Sequence, residues 1–413
     1  MSGLKVYRTN DCTKRNIERL KAISSKIFQN IGSLALFFIA TVLISSSYFV
    51  ASSLFNAHLN PTQIAFTEKT FASIVILSSI LGLNYNSMIL IINENEGQSA
   101  VLSFIRTQQV LLLILGALCT AINSNMFLVL FPAISLVFHN SILSYFSALQ
   151  KPIFNLFYGM FVFSFKYIAY LFSVKLTFVS LTDARIYSEY LGYFILMLLI
   201  IGGISKNDII VFIQLIKSYS KKVIPFSIYL IAFSYITNYP VAFLTKLHED
   251  IGLHFRIALL LIIGYNAINQ YFMIRIRGRS DVKLMYANII LIILGASILY
   301  VFAPYLLSII SSNSISFNRE IMVKLLFAYL LVSILLLGVR TMYWNDDFRL
   351  LSYSAIGSLL LVAITGYLFS SLEVYIVCLM GLVLMNVIYL TKNFGSSLWL
   401  LTLILIPGLW LVR

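Results

Sequence analysis

Thirteen apolar stretches, each long enough or nearly long enough to cross a bilayer, occupy almost all of this 413-residue chain. They fall at about 31–55, 71–92, 104–122, 126–148, 153–175, 187–205, 223–245, 255–275, 284–303, 321–340, 350–369, 374–391 and 396–412. Hydrophobic residues make up 60% of the chain and charged ones 11%. A water-soluble globule of this size needs more polar surface than that. The solvent for most of the chain is therefore lipid. Lipid offers free backbone groups no partner, so each crossing segment must be helical. The runs do not alternate in polarity as the ~10-residue strands of a β-barrel would. The expected fold is all-α: a polytopic membrane protein of about twelve transmembrane helices, thirteen if the last run crosses.

The net charge of +14 invites a nucleic-acid reading, but its distribution argues against one. With the N-terminus inside, the inner segments hold 20 of the Lys and Arg residues and the outer loops six. That asymmetry is the positive-inside pattern and sets the expected orientation, with the N-terminus cytoplasmic. The charge then reports topology and contact with anionic inner-leaflet lipid, and nucleic acid is not an expected partner. Cys12, Cys119 and Cys378 show no Cys-x-x-Cys spacing, which speaks against structural disulfides and a zinc site. About thirty residues precede the first run, and that run is too long for a signal core, so an uncleaved anchor is expected. Residues 13–28 read either as an interfacial helix or as a solvated basic cap.

Loops are short throughout. The longest outer connection is Pro304–Glu320, and the longest inner one is Lys206–Lys222, between the sixth and seventh runs. The expected organisation is an N-terminal bundle over 1–205, whose segment 1–30 is basic, a cytoplasmic linker over 206–222, and a C-terminal bundle over 223–413. A weak repeat supports two six-helix bundles around a central cavity. Gly82-Leu83-Asn84 and Gly264-Tyr265-Asn266 are both placed near the middle of a helix of the same direction. The final run contains Pro407-Gly408 and reads as a thirteenth span, a re-entrant piece or an interfacial segment.

Catalytic signals are nearly absent, and no cofactor or metal is called for. All fifteen carboxylates fall in loops or at the ends of the assigned spans, which argues against an exporter of cationic drugs, since such a protein needs an intramembrane acid. Asp346-Asp347 and His248-Glu249-Asp250 read as exposed loop residues. The informative positions are polar residues inside apolar runs. Lys166 lies near mid-bilayer and faces a wet cavity or snorkels outward; Lys324 and Arg256 lie nearer the outer ends of their helices. Asn84, Asn86, Asn238, Asn266, Asn269 and Gln270 either join helices as polar glue or line a hydrated cavity. Asn238 stands before Pro240, which can kink its helix. His139 is the only central imidazole and reads as a packing residue, with a proton relay as the alternative. A lumen with Lys and amides but no acid suits an anionic, hydroxyl-rich cargo.

The chain resembles the Wzx-type flippases, the lipid-linked oligosaccharide translocases of the multidrug/oligosaccharidyl-lipid/polysaccharide exporter superfamily. The resemblance lies in length, span number, the basic N-terminus and two halves. It is sharpest at Lys221-Lys222-Val223-Ile224-Pro225-Phe226 and at Gly252-Leu253-His254-Phe255-Arg256-Ile257-Ala258. A thirteenth run departs from the usual twelve. The resemblance implies a bacterial inner-membrane protein and no enzyme. Its substrate would be a polyprenyl-pyrophosphate-linked repeat unit of O-antigen or capsule, and a polymerase and chain-length regulator of the same pathway would be partners. The family's cavity cations are matched loosely by Lys166, Arg256 and Lys324. A membrane-embedded Wzy-like polymerase and a small-molecule exporter of the same superfamily are the alternatives.

Overall fold

The computed structural model describes residues 50–83, 86–149, 152–175, 180–244, 251–275, 282–311, 315–344, 371–394 and 402–411, with isolated positions in the first and eleventh apolar runs. These residues are helical, with no strand among them. In chain order the helices are α1 (residues 50–56, the described end of the first run), α2 (Pro61–Leu81), α3 (Asn86–Asn95), α4 (Gln98–Ile122), α5 (Phe127–Ala148), α6 (Pro152–Lys175) and α7 (Leu181–Ile201). They continue with α8 (Lys206–Tyr239), a π turn at Pro240–Leu244, α9 (Ile251–Arg275), α10 (Val282–Ser311), α11 (Arg319–Trp344), α12 (Leu372–Phe394) and α13 (Leu405–Leu411). Among the described residues, eight helices are long and apolar enough to cross a membrane.

Two cores organise them. One gathers Phe71, Ile74, Phe104, Ile134, Phe138, Tyr193 and their neighbours, as far as Leu215. The other runs from Ile236 through Phe255, Tyr329, Leu331 and Leu379 to Leu390, and also takes in Ile64 and Ala72. Helix α2 therefore feeds both cores. So does α8: Val211, Phe212 and Tyr219 pack on the first, and Phe233, Tyr235 and Ile236 on the second. These two helices form the seam between the halves.

Several boundaries differ from the sequence expectation. The second run, expected at 71–92, is two helices. α2 starts ten residues earlier, where Asn60 and Gln63 form a reciprocal cap (2.8 and 3.0 Å) and Pro61 opens the first turn. It stops at Gly82, and Leu83 takes φ 45°, a left-handed conformation that no continuing α-helix allows. The Gln108 amide of α4 donates to the Gly82 carbonyl freed by the break (3.3 Å). Gly82-Leu83 is thus a helix end, whereas Gly264-Tyr265-Asn266 lies within unbroken α9; the expected matching depth of the two triplets is not kept. Asn84 lies outside the described residues.

The stretch read as a linker, 206–222, is the first half of the 34-residue α8. Ser205 and Asp208 cap it reciprocally, and Asp208 also accepts from Ser103 on α4. The Ser103 hydroxyl, with help from Ser205, holds the Asp208 carboxyl below the ordinary carboxylate range. Pro304, read as the start of an outer connection, lies inside α10, which continues to Ser311. Among the described residues, the final run contributes the apolar helical segment Thr402–Leu411. There Gly408 lies against Phe327 and Met380, where a Cβ would come within 2.7 Å of both.

Pro240 shows how the second core handles a missing donor. Proline has no N–H for the Ile236 carbonyl one turn back. The Tyr375 hydroxyl donates to that oxygen instead (2.9 Å), and the Tyr329 hydroxyl to the Thr237 carbonyl (2.6 Å). Both rings are buried. Tyr375→Phe should strand a buried acceptor and lower stability by about 1–3 kcal/mol, read as a drop in the thermal midpoint of the detergent-purified protein. An unchanged midpoint would mean that the π turn satisfies Ile236 without it.

Candidate functional site

The first polar feature is an ionic cluster inside the N-terminal core. Lys166 (α6) is 3% exposed and pairs with Glu189 (α7). The other Glu189 oxygen accepts from Arg185 Nη1 at 3.1 Å, one turn earlier on the same helix. Arg185 Nη2 donates to Ser52 Oγ of α1 at 2.6 Å, so the cluster joins three helices. Two cations and one carboxylate leave it a formal charge of +1. His139 (α5) lies beside it, bonded through Nδ1 to the Tyr158 hydroxyl (2.6 Å) and stacked on Tyr193 (4.1 Å).

The second feature crosses the seam. Glu68 (α2), 2% exposed, pairs with Arg256 (α9). Gly252, one turn before Arg256, allows this approach: a Cβ there would lie 3.1 Å from Glu68 Cβ. Phe71, one turn along α2 from Glu68, carries both guanidinium groups over its ring, Arg185 at 4.9 Å and Arg256 at 5.3 Å. A cation over an aromatic face is attracted by the ring quadrupole. Phe71 thus stands between the ionic cluster of one half and the ion pair that reaches the other. Nearby, Asn56 of α1 donates to the Ile310 carbonyl of α10 at 2.9 Å.

The third feature is a cleft of about 470 Å³ on the same seam. One wall is the α2 stripe Lys69, Ser73, Ile76, Leu77 and Ile80, at helical spacing; the other is Tyr235 of α8 and Ala242 of the π turn. The volume is that of an ordinary small-ligand site. The lining is aliphatic apart from one ammonium, one hydroxyl and one phenol.

Among the described side chains, the sequence-derived candidates Lys166, Asn238, Arg256 and Lys324 do not share one site. Lys166 is sealed against Glu189 and does not line the cleft, because an ammonium in apolar packing needs its counter-ion. Lys324 bridges Glu320 and Glu373, both at 2.6 Å, and ties α11 to α12. Asn238 is buried and donates to the Ser234 carbonyl of its own helix at 2.9 Å. Arg256 reaches across the seam to Glu68 of α2. Asn86 opens α3, and Asn266, Asn269 and Gln270 lie in α9, but their side chains lie outside the described residues. The expectation that every carboxylate falls in a loop or at a span end is overturned: Glu68 and Glu189 lie about two turns inside α2 and α7 and are buried. Sequence reasoning missed Glu68, Glu189, Arg185 and Lys69. The Arg185–Glu189 spacing of four and the caps at Asn60 and Ser180 were the available signals. Among the described residues no three His, Cys, Asp or Glu side chains converge as metal ligands, and Cys119 and Cys378 are free thiols.

No protein-family profile and no curated protein sequence matches the chain. Two solved structures share its fold. One is a MATE in complex with MaL6, at TM-score 0.58 and 14% identity over 89% of this chain and 96% of that one. The other is a MOP superfamily transporter from Pyrococcus furiosus, said to have a binding pocket of reversed polarity, at TM-score 0.50 and 12% identity over the same shares. The chain therefore has the polytopic all-helical fold of these transporters.

Proposed function

We propose that this chain is a flippase that moves a polyprenyl-pyrophosphate-linked oligosaccharide repeat unit, of O-antigen or capsule type, from the cytoplasmic to the outer leaflet of a bacterial inner membrane. The observation that carries the reading is the seam. Two cores share helices α2 and α8 and are bridged there by a buried ion pair, beside a mainly apolar cleft whose one charge is Lys69. A seam closed by a polar pair can open once each charge finds another partner, as an alternating-access carrier needs. The transporter fold shared with the two solved structures supports the same reading. For an anionic head group the alternative partner is Arg256; the prenyl chain stays in lipid while the glycan crosses in a polar environment.

Buried Glu68 and Glu189 revive the cation-exporter reading, since an intramembrane acid is what such a protein needs. Both carboxylates, however, already hold a guanidinium or ammonium of the chain itself. A cationic cargo would have to displace it, whereas an anion would be attracted to the same groups. In this reading the N-terminus is cytoplasmic, and a polymerase and chain-length regulator act on the exported unit.

Deleting the gene in its host is expected to leave lipid-linked repeat units accumulating on the inner leaflet, measured by protease-free lipid extraction and leaflet-selective glycan labelling. Single-repeat glycan at the cell surface would instead mean that translocation is intact and polymerisation is lost. Unchanged glycan with altered sensitivity to cationic compounds would favour the exporter.

A further inference from the structure

The seam cleft has two unlike ends. Along α2 its lining runs from Lys69 to Ile80, which is about 16 Å of helix at 1.5 Å per residue. The Lys69 end carries the charge and Ser73; Ile76, Leu77 and Ile80 make the far end of that wall aliphatic. Lys69 is partly buried and, among the described residues, has no carboxylate within ion-pair distance. Lys166, Lys324, Arg185 and Arg256 all have one. Ser73, one turn further along α2, donates to the Lys69 carbonyl at 3.0 Å, which leaves its oxygen lone pairs directed to acceptance only. The charge of the cleft is therefore that of one ammonium, uncompensated by its walls.

We propose that this cleft binds a lipid phosphate, with the Lys69 ammonium on a phosphate oxygen and the hydrocarbon chain along Ile76, Leu77 and Ile80. The inference rests on the flippase reading above and names the anchor for its cargo. An ammonium is a point charge with three donors, so it holds phosphate by charge-assisted hydrogen bonds without demanding a fixed fork geometry. A single lysine in an open cleft is a weak trap for inorganic phosphate, which would lose hydration and gain only that contact. An amphipath adds burial of its chain against the aliphatic wall, a contribution proportional to the apolar area removed from water. Charge and wall lie on one helix stripe and favour a ligand with both parts.

The test uses the full chain in phosphatidylcholine nanodiscs and three probes: a fluorescent polyprenyl phosphate, the matching polyprenol, and inorganic phosphate as competitor. Polyprenyl phosphate is expected to bind, the alcohol at least tenfold more weakly, and inorganic phosphate to compete only at far higher concentration. Lys69→Gln should weaken binding about tenfold or more and Lys69→Arg should largely retain it. Leu77→Trp, which fills the cleft without touching the charge, should abolish binding with the thermal midpoint unchanged. Wild-type binding by Lys69→Gln or by Leu77→Trp would overturn the site, as would equal competition by inorganic phosphate. The same variants in the export assay separate the two claims. Lys69-dependent binding by a protein whose deletion leaves glycan export intact would sink the flippase reading and keep the site. Normal export by both variants would sink the site and keep the flippase.

Discussion

The Glu189→Gln variant is expected to lose about 3–5 kcal/mol of stability, because it removes the one carboxylate that two buried cations share. Lys166 and Arg185 both point at this carboxylate from inside the N-terminal core. Removing it raises the cluster's formal charge from +1 to +2 in a medium that solvates charge poorly. Lys166→Met should be much milder, since it leaves the neutral Arg185–Glu189 pair. Thermal midpoints of the detergent-purified variants test this order. Equal losses for the two would show that Lys166 is held by something other than Glu189. The contrast is informative because a gene-level export assay alone cannot distinguish an unfolded carrier from an inactive one.

Breaking the seam pair should cost as much by the same logic, with a different remedy. Arg256→Met takes the guanidinium away from Glu68, which is 2% exposed, and a loss of about 3–5 kcal/mol is expected. A buried pair replaced whole by apolar side chains is often neutral or stabilising, so Glu68→Leu with Arg256→Met should recover most of that loss. The double variant is then a folded protein whose polar seam has become an apolar one. Its export should fail, because the halves would have no charge to exchange for a ligand's and additional apolar surface to hold them together. A double variant that folds and exports at the wild-type rate would show that the pair serves assembly alone.

The helices were largely legible in the sequence because lipid imposes one periodicity and one length on every crossing segment. What was not legible is instructive. The start of α2 was hidden by Thr62, Gln63, Glu68 and Lys69, which lower hydropathy over three turns. Those charged turns are nevertheless helical, because Glu68 is matched by a guanidinium from a helix almost two hundred residues away. α7 was truncated for the same reason: Asp183 and Arg185 look like loop until Arg185 is seen to pair with Glu189 one turn on. Hydropathy treats each charge as exposed, whereas the fold pairs it. The site suffered most from this. Lys166 was expected to face a wet cavity or snorkel outward, whereas it is buried against Glu189, a residue the sequence had assigned to a helix end. Lys69 was passed over as a loop lysine although it faces the cleft.

Helix α8 has a consequence for how such a molecule would work. Its first half is gripped by the N-terminal core through Phe212 and the Ser103–Asp208 contact, and its second half by the C-terminal core through Ile236 and the two tyrosines at Pro240. A tether of loose chain would let each half tumble without troubling the other. A single rod clamped at both ends instead transmits torque, so a tilt begun in one half is delivered to the other, and the bending falls at Pro225, where the ladder of hydrogen bonds lacks a rung.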